Sequence, residues 1–168
     1  FLSFVLPGPM SQKPDISIIM ASYNHAAFIG HAIESILQQD FDAWELLIAD
    51  DASTDDTLDV LRKYSKDPRI RILPFTNNRE HHMRNTAARQ ARGEYIAFLN
   101  SDDLYYPGKL RKQVTWLEQS SRTAAVFSHV YCIDAKGKRL IGHPLETILS
   151  PDNLTPHQWL RHFFYSGN

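Results

Sequence analysis

Short apolar runs alternate with amphipathic segments through the first two thirds of the chain. Four runs have the length and composition of buried strands: 16–21, 44–49, 70–73 and 95–99. Between them, apolar residues recur every three or four positions, a spacing typical of helices that bury one face. Strands that follow one another through helices pair in parallel, so we predict an α/β fold with a mostly parallel sheet and helices on both faces.

The amphipathic segments predict four helices. They cover residues 28–37, 58–64, 80–91 and 109–119. Ser53 with Asp56 resembles a capping box at the start of the second helix, and we expect Gly93 to stop the third. The strand at 95–99 is a nearly unbroken apolar run after a glycine, which predicts burial on both faces.

Beyond residue 120 the pattern is less regular. Residues 124–133 predict a further strand with Cys132 as a buried structural thiol, and 134–138 predict a hairpin turn because Gly137 allows positive φ. Residues 156–164 predict a helix with proline in its first turn. We expect 1–10 to be an added or disordered leader, and 11–168 to form one domain that is incomplete at its C-terminal end.

Composition restricts the partners. The chain is 43% hydrophobic and 22% charged, which is ordinary for a soluble globular protein. Its net charge of −1 gives no electrostatic case for nucleic acid or an anionic membrane as the main partner. No apolar run is long enough to span a bilayer. A single cysteine excludes an internal disulfide and fits a reducing compartment, so a cytoplasmic location is expected, with peripheral membrane attachment through further segments left open.

Polar clusters follow three of the predicted strands: 22–24, Asp50 with Asp51, and Asp102 with Asp103. The carboxyl ends of parallel strands meet at one edge of the sheet, where ligands bind. Adjacent carboxylates repel each other, and magnesium or manganese is a natural partner for such a pair. A solvated acidic turn is the alternative at 102–103. The glycine-rich phosphate loops of dinucleotide-binding and P-loop enzymes are absent.

Several motifs occur together in one order. They read SIIMASYN at 17–24, LIADDASTDDT at 47–57, DPRIR at 67–71, RN at 84–85, ARGEYIAFL at 91–99, NSDD at 100–103 and PGKL at 107–110. In this order and spacing, residues 15–120 resemble the N-terminal, nucleotide-sugar-binding portion of family-2 glycosyltransferases. The resemblance implies the Rossmann-like fold called GT-A.

The resemblance also implies a donor site. Its nucleotide-sugar-binding residues would be Ala21, Ser22, Tyr23, Asp51, Arg84 and Asp102, with Asp103 as the ligand of a divalent cation, Mn or Mg. Asp51 would accept a hydrogen bond from a uracil-type imide, Asp102 would lie on the ribose side, and Arg84 would bind phosphate or sugar. The alternatives are a helix-terminal anion for Asp51, a solvated arginine for Arg84 and a core-edge aromatic for Tyr23.

The chain departs from the family pattern at three places. Asn100 stands at the first acidic position, Ala21 replaces a usual proline, and 79–83 replaces a glycine-rich stretch. The bulky side chains of 79–83 are expected to reshape the wall on the sugar side of the site.

By resemblance, the reaction is inverting transfer of a sugar from a nucleoside diphosphate, with UDP expected, to a hydroxyl acceptor. The acceptor would be a saccharide or lipid-linked saccharide, in polysaccharide or glycoconjugate synthesis. The catalytic base is expected beyond Asn168, since only Glu146 and Asp152 are acidic after Asp134 and neither has a matching context. A non-catalytic nucleotide-sugar-binding module and, less favoured, a sugar nucleotidyltransferase are the alternatives.

Overall fold

A computed structural model describes residues 13–74, 80–119, 123 and 125–142 of the chain. They belong to two compact units, the first ending at Thr115 and the second beginning at Trp116. The predicted leader at 1–10, the predicted helix at 156–164, and both Glu146 and Asp152 lie outside the described residues. The assignment of 11–168 to a single domain stays a prediction. None of the helices in the described part of the chain has the length and apolar composition of a membrane span.

Four parallel strands form the sheet of the first unit. They are β1 Ile16–Ser22, β2 Trp44–Asp50, β3 Ile70–Pro74 and β4 Tyr95–Phe98. Their order across the sheet is β3-β2-β1-β4. β1 pairs with β2 from Ile16 opposite Trp44 to Ser22 opposite Asp50, so the two central strands end side by side. The predicted parallel sheet is confirmed.

Helices cover both faces of this sheet, as predicted. They are α1 Ile29–Leu37, α2 Thr57–Arg62, α3 Glu80–Arg89 and α4 Lys109–Glu118. Buried residues of α1, α2 and the first half of α4 pack with Ile18 and Met20 of β1 on one face. On the other face, α3 packs Met83 and Ala87 against Ile19 of β1. Side chains of a strand alternate between the faces, so two covered faces explain the continuous apolar run of β1.

β4 is half exposed, contrary to the prediction that it is buried on both faces. Tyr95 and Ala97 pack against the core that contains α1. Ile96 and Phe98 point to the other face and are 48% and 62% exposed. β4 is the edge strand of the described sheet, and α3 covers the two central strands on that face. An apolar run alone does not reveal whether a helix covers its second face.

Two of the predicted signals for helix ends, a capping box and a glycine stop, are wrong. No side chain caps α2 at Asp56, and the Ser53 hydroxyl donates to Asp50 instead, so the expected capping box does not form. α3 ends at Arg89, four residues before Gly93, so the glycine is not its stop. Gly93 lies against the start of β1 instead, where its backbone N–H donates to Ser17 Oγ at 2.8 Å.

Gly93→Ala is expected to destabilise the fold strongly. A Cβ at this position would lie 2.5 Å from the backbone nitrogen of Ser17 and 2.7 Å from the carbonyl carbon of Ile16. Backbone atoms of a central strand cannot move aside freely, so we expect a loss of about 1–3 kcal/mol or more in the free energy of unfolding. Urea denaturation measures the loss.

Gly30→Ala, within α1, is the matched control. Its Cβ would meet Tyr64 Oη and Val60 Cγ1 at an ordinary 3.6 Å. Because alanine favours a helix over glycine by up to about 1 kcal/mol, this variant should be as stable as the wild type or more so. Equal stability of Gly93→Ala and wild type would contradict the close approach of Gly93 to β1.

The described part of the second unit contains a turn but no strand ladder. Ile133 and Arg139 form an isolated antiparallel bridge, and Gly137, at φ +78°, donates its N–H to the carbonyl of Asp134 at 2.9 Å. The predicted hairpin turn is therefore confirmed. Within the described residues, 125–133 contains the bridge at Ile133 and no strand, so the strand predicted for 124–133 is not found there. Cys132 is half-buried rather than buried.

Candidate functional site

A cavity of about 610 Å³ opens at the carboxyl ends of β1 and β2. Its lining residues are Ala21, Ser22, Tyr23, His25, Asp51, Met83, Arg84, Asn100, Ser101 and Asp102. All six residues to which the sequence assigned donor binding line this cavity. Asp103, the predicted metal ligand, is adjacent in sequence to the lining residue Asp102 but is not among the lining residues.

The adjacent carboxylates at the end of β2 have different environments. Asp50 is 1% exposed, and its two oxygens accept hydrogen bonds from the backbone N–H of Ser53 at 3.0 Å and from the Ser53 hydroxyl at 2.6 Å. Asp51 donates its backbone N–H to the carbonyl of Ser22 at 2.9 Å. Asp50 therefore fixes the loop, while the side chain of Asp51 is directed to the cavity that it lines.

Two buried oxygens of the cavity wall have no hydrogen-bond partner. Among the described residues, Ser22 Oγ and Asp51 Oδ1 are the buried side-chain polar atoms in this state. An unpartnered buried polar atom costs about 1–3 kcal/mol, and native proteins retain few of them. Both residues line the cavity, so a ligand with an N–H or O–H group would satisfy these oxygens.

Asn24 holds the loop that follows β1. It adopts a left-handed backbone conformation, with φ 52°, which asparagine tolerates better than most residues. Its side-chain oxygen accepts from the backbone N–H groups of Thr54 at 2.8 Å and Asp55 at 3.3 Å, and its own N–H donates to Ser53 Oγ at 2.9 Å. This crosslink between two loops fixes the backbone beside Tyr23, whose side chain is 47% exposed.

Asp55 and Thr57 add a second crosslink between the same loops. Thr57 Oγ1 accepts from the backbone N–H of His25 at 2.9 Å, and Asp55 Oδ2 accepts from that of Ala26 at 3.1 Å. The Thr57 hydroxyl also donates to Asp55, and this bond is the main cause that lowers the pKa of Asp55. The polar residues of the DASTDDT segment are thus used largely to build the cavity wall.

His25 and Ser101 join the loop after β1 to the acidic turn after β4. His25 Nδ1 lies 2.6 Å from Ser101 Oγ, and Ser101 is 2% exposed. Neither residue was predicted as part of the site, because 76 positions separate them and their types are common in polar turns. The available signal was that each follows a buried strand at the same edge of the sheet.

The acidic turn spans Asn100 to Asp103. The backbone N–H of Asp103 donates to the carbonyl of Asn100 at 3.2 Å, which closes the turn. The Asn100 side chain donates from Nδ2 to Asp103 Oδ2 at 2.9 Å and accepts at Oδ1 from Arg84 Nη2 at 3.2 Å. Asp102 occupies the middle of the turn and lines the cavity.

This turn fits a cation whose coordination the substrate completes. The described residues contain no group of three or more His, Cys, Asp or Glu side chains that could hold a metal ion. They do offer Asp102 and Asp103, two adjacent and exposed carboxylates. Magnesium and manganese are commonly held by one or two carboxylates together with substrate phosphates and water. The residues therefore fit a metal bound together with a diphosphate.

Comparison with known proteins places the chain in a family. The profile described as glycosyl transferase family 2 matches residues 17–166. Over 146 residues the chain is 37% identical to the putative teichuronic acid biosynthesis glycosyltransferase TuaG of Bacillus subtilis (strain 168), covering 85% of this chain and 56% of the relative. It is 32% identical to chondroitin synthase of Escherichia coli over 155 residues, covering 92% of this chain and 23% of the synthase.

Solved structures share the fold. Staphylococcus aureus TarS 1–349 in complex with UDP-GlcNAc matches with a TM-score of 0.59 and 30% identity, over 62% of this chain and 31% of TarS. The mannosyltransferase PcManGT of Pyrobaculum calidifontis, in complex with GDP-Man and Mn2+, matches with a TM-score of 0.58 and 29% identity, over 64% and 33% of the two chains.

The chain covers only part of each of these four proteins. The chain spans about half the length of TuaG and about a third or less of the other three proteins. The matched structures are GT-A glycosyltransferases, so the predicted GT-A fold is confirmed. With a profile match over most of its length and relatives more than 30% identical, the chain belongs to glycosyl transferase family 2.

Proposed function

We propose that this chain is the donor-binding part of an inverting glycosyltransferase that takes a sugar from a nucleoside diphosphate, with UDP preferred. The acceptor would be a hydroxyl group of a saccharide or lipid-linked saccharide. One observation carries the proposal: the unpartnered Asp51 Oδ1 and Ser22 Oγ share a cavity with the cation Arg84 and the carboxylate of Asp102. A nucleotide-sugar site requires acceptor oxygens for the base, a positive group for the phosphates, and a carboxylate for a metal or the ribose.

The base would bind at the Asp51 side of the cavity. The imide N–H of uracil donates one hydrogen bond, and a buried carboxylate oxygen is a strong acceptor for it. Ala21 leaves room beside the base, and the half-exposed Tyr23 ring offers it an apolar surface. Guanine also presents N–H donors, and PcManGT binds GDP-Man, so GDP is the main competitor to test.

The diphosphate would bind between Arg84 and the acidic turn. A guanidinium presents several donors to phosphate oxygens. We assign Asp103 as the ligand of Mn or Mg and Asp102 as the group nearer the ribose. A bound cation of this kind stabilises the charge that develops on a departing diphosphate. The base that removes the acceptor proton is expected beyond Asn168.

Calorimetry of the chain with UDP, TDP and GDP, with and without Mn2+, tests this function. We expect UDP to bind and Mn2+ to tighten binding by about tenfold, because a divalent cation beside a diphosphate interacts strongly even at a solvated site. Asp103→Ala should remove the Mn2+-dependent part and leave the metal-free affinity close to wild type. Asp102→Ala should weaken nucleotide binding with or without the metal.

Asp40→Ala is the matched control, because it removes an exposed carboxylate that pairs with Arg111 outside the cavity lining. It should bind UDP as the wild type does. Absence of binding to all three nucleotides would contradict the donor site as a whole. Loss of the Mn2+ effect in Asp102→Ala but not in Asp103→Ala would exchange the roles of the two carboxylates.

A further inference from the structure

Asn100 connects a positive and a negative group at the cavity. Its Oδ1 accepts from Arg84 Nη2 at 3.2 Å, and its Nδ2 donates to Asp103 Oδ2 at 2.9 Å. Its backbone carbonyl also accepts the N–H of Asp103 at 3.2 Å. Arg84 comes from α3 and Asp103 from the turn after β4, so one side chain ties two elements together.

The amide of Asn100 suits both of its side-chain contacts. An arginine is a donor and an ionised carboxylate is an acceptor, so the residue between them needs one acceptor end and one donor end. The two partners also fix the orientation of the amide, because the flipped form would place NH2 against the guanidinium and oxygen against the carboxylate. An aspartate at position 100 would keep the contact with Arg84 but oppose Asp103 with a like charge.

We propose that Asn100 is a positioning residue that orients Asp103 and Arg84 together and makes nucleotide binding depend less on the metal and more on the arginine. This inference rests on the proposed donor site. A neutral oxygen holds the guanidinium without adding a charge that would cancel it, so the guanidinium charge acts on phosphate undiminished by residue 100. With asparagine at position 100, the acidic turn carries one negative charge fewer than it would with aspartate. It therefore attracts a free cation less strongly.

A negative charge added at position 100 should have opposite effects on the affinities for Mn2+ and for UDP. In Asn100→Asp, binding of Mn2+ to the nucleotide-free chain should tighten by about three- to tenfold, because the added carboxylate lies within a few ångströms of Asp103. Metal-free UDP affinity should fall by about the same factor, since the new carboxylate pairs with Arg84 and repels the diphosphate. Electron paramagnetic resonance of free Mn2+ measures the first affinity, and calorimetry measures the second.

Two further variants separate orientation from charge. Asn100→Ala removes both side-chain contacts without adding charge, so Mn2+ affinity should not rise while metal-free UDP affinity still falls. Gln38→Glu adds the same charge at an exposed position directly after α1, outside the cavity lining, and should change neither affinity. The proposal would be overturned if Asn100→Asp bound Mn2+ as tightly as wild type does and also bound UDP as tightly as wild type does.

A nuclear magnetic resonance measurement tests the positioning without any ligand. The side-chain NH2 signal of Asn100 should shift in Asp103→Ala and in Arg84→Lys, because each change removes or alters one of its partners. An unchanged signal in both variants would overturn the role of Asn100 even if UDP binds. Conversely, if the signal shifts in both variants but the chain binds no nucleotide, the contacts of Asn100 are supported and the proposed function is contradicted.

Discussion

Asp51→Ala is expected to lose most of its affinity for UDP while remaining as stable as the wild type. The carboxylate is 5% exposed, lines the cavity, and has one oxygen with no partner in the described part of the chain. A hydrogen bond to a charged group contributes about 1.5–3 kcal/mol, so UDP binding should weaken by about tenfold to a hundredfold. Calorimetric titration with UDP measures the loss.

The stability of the same variant distinguishes a binding role from a structural one. In the free protein Asp51 Oδ1 is buried and has no hydrogen-bond partner. Removal of this carboxylate should therefore leave the melting temperature unchanged or raise it. Asp50→Ala is the matched comparison, because both Asp50 oxygens accept hydrogen bonds from Ser53. That variant should melt at a lower temperature, since it releases the loop that carries the cavity wall.

Two results would contradict this assignment. If Asp51→Ala binds UDP as tightly as wild type, the base does not contact this carboxylate. If Asp51→Ala instead melts well below wild type, the carboxylate stabilises the fold as an anion near a helix N-terminus, which is the alternative that the sequence left open. Asp59→Ala, at an exposed position of α2 paired with Arg62, should alter neither property.

The central part of the fold was predictable because its signals are local. β1 and β2 each extend one residue beyond the predicted range, since covered faces require continuous apolar runs and the first polar residues mark the strand ends. The cavity position followed from the same reasoning, because parallel strands place the residues after them at one edge. Asp51 and Asp102 could therefore be placed at a shared edge before any contact was known.

What the sequence did not reveal depends on contacts between distant residues. The bond of His25 to Ser101 and the approach of Gly93 to Ser17 join positions about 76 residues apart, and no local pattern encodes them. Glycine is common at helix ends, which explains why Gly93 was assigned to α3 rather than to a close contact. The exposure of Phe98 likewise depends on which strands α3 covers.

Glu45 is the centre of a buried polar network at the edge of the sheet opposite the cavity, where β1 and β2 begin. The side chain is 0% exposed. Oε1 accepts from Ser17 Oγ at 2.7 Å and from the backbone N–H of Arg92 at 2.7 Å, and Oε2 accepts from Arg92 Nε at 2.9 Å and Nη2 at 2.7 Å. Arg71 Nη1 lies 3.8 Å from Oε2. This network fixes the residues that lead into β4 against the two central strands.

Glu45→Gln is expected to be the most destabilising polar substitution in the described part of the chain. The Glu45 side chain is buried, whereas the Arg92 side chain is 44% exposed and can be solvated, so loss of the ion pair and its hydrogen bonds should cost about 1–3 kcal/mol. The new NH2 group would also face donors on Arg92 or Ser17. Glu118→Gln, at an exposed position of α4, is the control and should differ from wild type by less than about 0.5 kcal/mol.

The pH dependence of the Glu45→Gln effect has a definite sign. Burial raises the pKa of Glu45, but hydrogen bonds from Arg92 and Ser17 outweigh burial and leave its pKa below the usual 4.5. A carboxylate with a lowered pKa stabilises the folded state fully above its unfolded pKa, and this stabilisation is lost as the pH falls through the folded value. The difference in unfolding free energy between wild type and Glu45→Gln should therefore be constant near neutral pH and shrink below about pH 4.5. Urea denaturation from pH 7 to pH 3 measures it, and a difference that stays constant or grows with acidity would show that Glu45 is not held as a carboxylate by Arg92.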